Sequence, residues 1–185
     1  MKQRKIIAEV IDLLKSALIS VIIVILLTQF VIKPIQIDGL SMQPTLMDRQ
    51  RGFSNILSHR LTKLERFEIV IIYDAIDQDY FVKRVIGLPY EVLEFKNDQL
   101  YIDGELIVQD FLDADYVRRM TNNGARPFTA DFGPITIPRD QVFVMGDNRI
   151  NSTDSRMRGP YPIKNIISKH VYIIYPFDQM RILHR

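Results

Sequence analysis

The 185-residue sequence contains no cysteine and no tryptophan, and its only histidines are His59, His170 and His184. Without cysteine there is no disulfide framework, no thiolate metal site and no cysteine nucleophile. No histidine has a second one at the spacing of a metal-binding motif, so we expect neither a metal nor a cofactor. Any chemistry is therefore expected from hydroxyl, amine and carboxyl groups.

A large excess of charge of one sign is also missing. The chain has 24 lysines and arginines against 22 aspartates and glutamates, which gives a formal net charge of +2. Aromatic residues make up 10% of the sequence, but they form no stripe with basic residues. Nucleic acid is therefore not an expected partner.

Residues 16–32 carry no charged side chain. As a helix they would span roughly 25 Å, and the flanking Lys15 and Lys33 could reach the interfaces of a bilayer core about 30 Å thick. A buried core helix and a cleaved secretory signal are the alternatives, but residues 30–34 lack the small side chains that cleavage needs. We predict an uncleaved transmembrane anchor over 16–32.

The positive-inside rule gives that anchor a direction. Lysines and arginines are more frequent before it than after it. This bias favours a cytoplasmic segment over 1–15 and an extracytoplasmic domain over 33–185. We therefore predict a single-pass protein of the cell membrane, with the lipid bilayer as a partner.

Beyond the anchor, short β-branched runs and turn residues predict a mostly antiparallel β domain. The turn pair Asp103-Gly104 predicts a hairpin, while residues 109–135 are polar and loop-like, and helical periodicity is confined to the anchor. The expected strands are 34–38, 52–57, 68–73, 80–88, 90–95, 99–107, 141–145 and 166–175.

Ser41 lies in the stretch 38–46, Asp-Gly-Leu-Ser-Met-Gln-Pro-Thr-Leu. Gly39 can adopt backbone angles closed to other residues, and Pro44 fixes its own φ, so Ser41 is expected in a constrained turn. A serine held in this way can act as a nucleophile if a neighbouring group removes its proton. The alternative is a turn serine that bonds its own backbone.

Lys83 lies in an otherwise apolar predicted strand and shares a face with Phe81 and Val85. If that face is buried, desolvation lowers the pKa of the amine and makes it a competent base. The alternative is a solvated edge lysine. Arg84 points to the opposite face, where we expect it to be solvated.

A third polar stretch, 146–156, follows a short apolar strand. Ser152 could accept a hydrogen bond from a lysine amine and orient it. Asp154 and Arg156 could pair with each other or with Asp147 and Arg149. The alternative is a polar turn without chemistry.

Together, Gly-Leu-Ser-Met-Gln-Pro-Thr-Leu at 39–46, Tyr-Phe-Val-Lys-Arg-Val-Ile-Gly-Leu-Pro at 80–89 and the stretch 146–156 resemble the signature boxes of bacterial type I signal peptidases. The single anchor resembles the Gram-positive form. The resemblance implies a mostly β catalytic core with a smaller, variable β-rich insertion, expected near 96–138. It also implies a serine endopeptidase that removes signal peptides from secreted preproteins after an Ala-x-Ala-like site.

The resemblance assigns the catalytic roles to Ser41 as nucleophile and Lys83 as base. Ser152 matches the serine that positions the lysine, and Asp154 and Arg156 match a supporting ion pair. The backbone N–H of Ser41 would donate to the oxyanion. Gly39 stands where some members have a second, side-chain donor.

An extended substrate would present alternate side chains to shallow apolar pockets. Their expected walls are Ile35, Ile37, Met42, Tyr80, Phe81 and Val82. The sequence departs from the family pattern at Arg66-Phe67-Glu68, Tyr90-Glu91 and Ile150, which concerns local turns and substrate preference more than the pair Ser41 and Lys83.

Three alternatives remain. An inactive relative would bind exported chains without cutting them. A self-cleaving repressor protease needs a DNA-binding module, and none precedes Ser41. A serine–histidine hydrolase needs a histidine near the nucleophile, but His59 and His184 lie in polar, exposed-looking sequence and His170 in a strand. The oligomeric state is left open.

Overall fold

The computed structural model describes residues 2–183, so His184 lies outside the described part of the chain. Four α-helices are present in that part: α1 (Lys2–Phe30), α2 (Ile56–Leu61), α3 (Ala114–Met120) and α4 (Ser155–Arg158). The strands are β1 (Ile32–Gln36), β2 (Arg51–Asn55), β3 (Ile69–Asp74), β4 (Asp79–Gly87), β5 (Val92–Lys96), β6 (Gln99–Ile102), β7 (Glu105–Ile107), β8 (Phe132–Thr136), β9 (Gln141–Met145), β10 (Tyr161–Pro162), β11 (Ile166–Tyr175) and β12 (Arg181–Leu183).

Helix α1 contains most of the predicted anchor. It starts well before residue 16 and ends at Phe30, because β1 already begins at Ile32. Among the described residues, one helix segment, Lys5–Phe30, is long and apolar enough to cross a membrane. Its large apolar side chains are exposed, as they would be in contact with lipid.

Two antiparallel sheets form the rest of the fold, which confirms the predicted fold class. The first has the order β1-β2-β11-β3-β4-β9-β10, with β12 added on β11. The second has the order β7-β6-β5-β8 and corresponds to the predicted insertion, although it begins at Val92 rather than near residue 96. The predicted hairpin at Asp103-Gly104 joins β6 and β7, and both of its turn residues have positive φ.

The hydrophobic core holds the two sheets together. Ile86 of β4 and Phe143 and Met145 of β9 pack against Leu93 and Phe95 of the second sheet. Burying each such side chain contributes about 1.5–3 kcal/mol. Because the second sheet covers this end of β4, both faces of that strand are buried there.

Two local predictions were wrong. The stretch 109–135 is not a continuous loop, since it contains α3, capped by Asp113, and the strand β8. The strand predicted over 52–57 ends at Asn55, whose side chain accepts a hydrogen bond from Ser58 N and starts α2. Helices outside the anchor therefore exist, but they are too short for a clear periodic pattern.

Candidate active site

The turn that carries Ser41 is closed at its base by backbone hydrogen bonds. Ile37 N donates to Gln50 O at 2.8 Å, and Arg49 N donates to Ile37 O at 2.7 Å. Within the turn, Met42 and Leu46 are buried in a hydrophobic cluster with Ile37. Gly39 has a φ of +99°, which explains the glycine at this position. The turn is thus fixed at its two ends by hydrogen bonds and in between by its buried side chains.

Lys83 reaches this turn from the middle of β4. Its side chain is 5% exposed, and its Nζ donates a hydrogen bond to Ser41 Oγ at 2.8 Å. Burial lowers the pKa of the Lys83 amine to about 8, although Asp154 and Asp147 oppose the shift. The amine is therefore partly neutral near physiological pH, and it faces the one hydroxyl from which it would take a proton.

The backbone of Ser41 is positioned by the stretch after β9, which sequence reasoning did not single out for this role. Asn148 N donates to Ser41 O at 3.0 Å, and Asn148 Nδ2 donates to Leu40 O at 3.1 Å. A Cβ on Gly146 would meet both Ser41 O and the Ser152 hydroxyl at less than contact distance. Only glycine at position 146 lets the segment after β9 approach the Ser41 turn so closely.

The N–H of Ser41 donates no hydrogen bond within residues 2–183. It is therefore free to donate to the oxygen of a bound carbonyl group. As the sequence indicates, Gly39 offers no side-chain donor beside this N–H.

Asp154 and Arg156 pair with each other, which settles the alternatives that the sequence left open. Arg156 Nε and Nη2 donate to Asp154 Oδ1 and Oδ2 at 2.9 and 2.8 Å, and Gly146 N donates to Asp154 Oδ2 at 3.0 Å. Burial alone would raise the pKa of Asp154, but the hydrogen bonds from Arg156 and Gly146 hold this pKa below its usual value. The carboxylate thus stays charged and adds negative potential at Lys83.

Ser152 lies beside Gly146, but the expected hydrogen bond from the lysine is not formed. Its Oγ is buried and receives no hydrogen bond from Lys83, but the hydroxyl is close enough to Asp154 to help lower the pKa of that carboxyl. The Lys83 amine donates to Ser41 instead. The ammonium form of Lys83 carries three donor protons, so donation to Ser41 leaves two for other acceptors.

The expectation that Arg84 is solvated was wrong. Its side chain is fully buried and forms a bidentate ion pair with Asp147, at 2.8 and 2.7 Å, and it also donates to Phe67 O. The alternation rule placed Arg84 correctly on the face opposite Lys83, but the second sheet covers that face. Asp147 is therefore committed to Arg84 rather than to Arg156.

Arg149 is also buried, and its hydrogen bonds go to neutral groups. It donates to Gly146 O at 3.1 Å, Thr129 Oγ1 at 3.2 Å and Gln109 Oε1 at 2.6 Å. Burial lowers its pKa to about 10. Arg149 therefore ties the segment between α3 and β8 to the strand end that positions Ser41.

A groove of about 310 Å³ opens beside Ser41 and Lys83. It runs between β1, which is an edge strand, and the first half of β4, which pairs only with β3 because β9 joins from Arg84 onward. All six predicted pocket residues line this groove: Ile35, Ile37, Met42, Tyr80, Phe81 and Val82. Buried Ile37 and Met42 contribute to its apolar wall.

A second opening of about 360 Å³ adjoins the groove at the same pair of residues. It shares Ser41, Phe81 and Lys83 with the groove and is lined further on by Asp77, Asn151, Thr153 and Arg158. Ser41 therefore stands at the junction of two open spaces, as a residue that attacks the middle of a longer chain would.

Neither described histidine lies at this site. His170 contacts Glu68 Oε1 at 3.1 Å and Ser58 Oγ at 3.4 Å. His59 is half-buried rather than exposed, and burial lowers its pKa. Among the described residues there is also no group of three or more histidine, aspartate or glutamate side chains that could hold a metal ion.

Two stretches that contain departures from the family pattern, 66–68 and 90–91, contact each other. Arg66 forms an ion pair with Glu91 at 2.6 Å and donates to Ile86 O. Tyr90, next to Glu91, has a φ of +73°. Ile150 lies half-buried after Arg149. Arg66, which agrees with the family pattern, and Glu91, which departs from it, thus join the two stretches beside the C-terminal end of β4.

An antiparallel β fold in which a serine hydroxyl meets a buried amine at the end of a groove is the arrangement of a serine hydrolase. Comparison with known proteins gives the family. The signal peptidase family, peptidase S26, matches residues 10–175. The chain belongs to this family and is a serine endopeptidase.

Relatives of known function cover almost the whole chain. A signal peptidase I of Bacillus amyloliquefaciens is 38% identical over 175 residues, which is 94% of this chain and 92% of the relative. Signal peptidase I S of Bacillus subtilis (strain 168) is 39% identical over 174 residues, covering 94% and 93% of the two chains. A crystal structure of a signal peptidase I from Enterococcus faecalis V583 is similar with a TM-score of 0.53 at 32% identity, and covers 58% of this chain and 97% of that one.

Proposed function

We propose that this signal peptidase is a membrane-anchored enzyme that cleaves signal peptides after an Ala-x-Ala-like site with Ser41 as nucleophile and Lys83 as general base. The observation that carries the proposal is the 2.8 Å hydrogen bond between the two side chains, formed by an amine that burial brings to a pKa of about 8. A surface lysine with an ordinary pKa would remain protonated and could not accept the proton.

In the proposed reaction, neutral Lys83 takes the proton of Ser41 while Ser41 Oγ attacks the scissile carbonyl carbon. The lysine then passes this proton to the leaving amine as the C–N bond breaks, which leaves an acyl-enzyme. A water molecule, deprotonated by Lys83, cleaves the ester and regenerates Ser41. The free N–H of Ser41 donates to the oxyanion in both halves.

Supporting roles are proposed for three neighbours. Asp154 and Arg156 hold the strand end that contacts Ser41 through Gly146, as their hydrogen bonds indicate. Ser152, whose buried hydroxyl receives no hydrogen bond from another side chain, would accept one from the Lys83 ammonium once the first proton transfer has occurred. This step holds the amine in place between the two halves of the reaction.

The groove favours an extended peptide with small side chains. The free edges of β1 and of the first half of β4 can both form backbone hydrogen bonds with a chain lying between them. Alternate side chains of that chain would then face Ile35, Ile37, Met42 and Val82. This apolar part of the groove wall suits small apolar side chains such as alanine at the first and third positions before the cut.

We place the chain in the cell membrane with α1 as the anchor, residues 1–15 in the cytoplasm and the β domain of 33–185 outside it. The apolar and exposed surface of α1 supports a membrane span. Anchoring would confine the enzyme to the surface in which the apolar segment of its substrate also resides, and would raise their effective concentration.

The pH dependence of kcat/KM on an Ala-x-Ala signal-peptide substrate tests the dyad. The rate of the detergent-solubilised enzyme should rise with pH and level off above a pKa near 8, because only the neutral amine is a base. Folded Ser41→Ala and Lys83→Ala should be inactive. Cleavage that survives in Lys83→Ala would refute the lysine base, and a folded wild type without activity would favour the inactive, substrate-binding relative.

A further inference from the structure

The first turn of helix α2 is hydrogen-bonded to the residue that follows α1. Val31, which follows α1, accepts hydrogen bonds from Ile56 N at 2.9 Å and from Leu57 N at 3.4 Å. The adjacent pair of the β1–β2 ladder is Ile32 with Asn55. The first turn of α2 therefore stays within hydrogen-bond distance of the residue after the anchor, whatever the tilt of the anchor.

One face of α2 is apolar and uncovered. Leu57 and Leu61 lie four positions apart, on the same side of the helix, and are 40% and 73% exposed. Ile56 is buried against the domain and provides the inward contact. A six-residue helix does not need two exposed leucines for its own stability, so this pair is available to a partner.

Basic side chains surround this face. Arg60 and Lys63 are exposed, and the stretch 56–64 contains no acidic residue. Lys33 lies at the same end of β1, with its amine 3.4 Å from the ring centre of Tyr80, which is itself 48% exposed. Lysine, arginine and tyrosine are the residues that occupy the boundary between lipid and water.

We infer that α2 lies in the headgroup region of the bilayer, with Leu57 and Leu61 towards the acyl chains and Arg60 and Lys63 on anionic phospholipid headgroups. The inference rests on the proposed membrane anchoring by α1. Its argument is the continuity of α2 with the end of the anchor together with the complementary charge. Docking of α2 fixes the domain so that the Lys33–Tyr80 end of the groove opens at the membrane surface.

Site-directed spin labelling tests this placement, because the chain has no cysteine of its own. Single cysteines replace Leu61, Val108 or Val24 in the full chain, which is reconstituted in vesicles containing phosphatidylglycerol. Val108 is 74% exposed, like Leu61, but it follows β7 in the second sheet. The label is probed with oxygen, which concentrates in lipid, and with a water-soluble nickel complex.

The label at 61 should resemble the one at 24 in its preference for oxygen, while the label at 108 should react several-fold more with nickel. Equal nickel accessibility at 61 and 108 would overturn the inference. A label at 24 that reacts as an aqueous site would instead show that the anchoring proposal itself fails.

The accessibility of the label at 61 to the two reagents also distinguishes a lipid partner from a protein partner. Protection of residue 61 from both reagents would assign this face to a protein and overturn the lipid partner. In vesicles of neutral phosphatidylcholine, or with Arg60→Glu and Lys63→Glu, nickel accessibility at 61 should rise towards that at 108. An unchanged value in both cases would overturn the assignment of anionic headgroups.

Discussion

Gly146 leaves no room for a side chain between its own α-carbon and the carbonyl oxygen of Ser41. The φ of Gly146 is not in the positive range, so close contact rather than backbone strain requires glycine here. We expect Gly146→Ala to push the Ser41 turn away from Lys83. Because displacements of about 1 Å at a reacting group can cost about a hundredfold in rate, kcat/KM should fall on that order while the protein remains folded.

A matched control is Gly104→Ala. Gly104 has a φ of +83° and no atom near its missing side chain. Its substitution should lower the free energy of unfolding by about 1 kcal/mol through backbone strain and leave kcat/KM unchanged. Wild-type kcat/KM in Gly146→Ala would contradict the role of the close approach.

Burial of Lys83 should make stability depend on pH with a definite sign. Its folded pKa of about 8 lies below the unfolded value near 10.5, so the unfolded chain binds more protons between these values and the wild type gains stability as pH rises through them. Lys83→Met removes this titration. Its melting temperature should exceed that of the wild type at pH 7, and the difference should shrink between pH 8 and 10.5. A difference that grows with pH would contradict a desolvated amine.

Removal of Arg84 should destabilise the fold strongly. Arg84→Met leaves the Asp147 carboxylate buried without its partner, and we expect a loss of about 3–5 kcal/mol in the free energy of unfolding, measured with urea. The double variant Arg84→Met/Asp147→Leu should recover much of that loss. The control is Arg118→Met, whose ion pair with Asp115 is exposed and should be worth less than about 1 kcal/mol. Equal losses in Arg84→Met and Arg118→Met would contradict the buried pair.

The groove should be adjustable by a single side chain. Val82→Ala removes two methyl groups from the wall and so enlarges the groove. The ratio of kcat/KM for a substrate with valine at the first or third position before the cut to kcat/KM for the alanine substrate should rise about tenfold. Val92→Ala, in a strand of the second sheet, is the control and should leave the ratio unchanged. An unchanged ratio at both positions in Val82→Ala would remove Val82 from the binding site.

The sequence predicts the anchor, most strands and the hairpin because their signals are local. β-branched runs and a turn pair with positive φ do not depend on distant parts of the chain. The meeting of Ser41 and Lys83 is different, since 42 residues separate them and only the curvature of the sheet brings them together. The contact between Ser41 and Lys83 can be predicted from the resemblance to a family but not from their spacing in the sequence.

The features that the sequence did not predict correctly, such as the burial of Arg84 and the role of Asn148, depend on tertiary packing. Alternation correctly places Lys83 and Arg84 on opposite faces of β4, but it cannot show that a second sheet covers the Arg84 face. The role of Asn148 rests on backbone and amide bonds to Leu40 and Ser41, which leave no pattern in the sequence. For α3 a local signal did exist, in Asp113 followed by Tyr116 and Val117 at helical spacing.

The single residue between α1 and β1 limits how far the Ser41 turn can lie from the end of α1. Val31 alone connects the anchor to a strand of five residues, which spans roughly 15 Å, and the Ser41 turn follows after that strand. If α1 spans the bilayer as proposed, the distance between Ser41, the proposed nucleophile, and the lipid surface would vary little. A substrate anchored by its own apolar segment would then be cut at a set number of residues from that segment, so that position as well as sequence selects the bond.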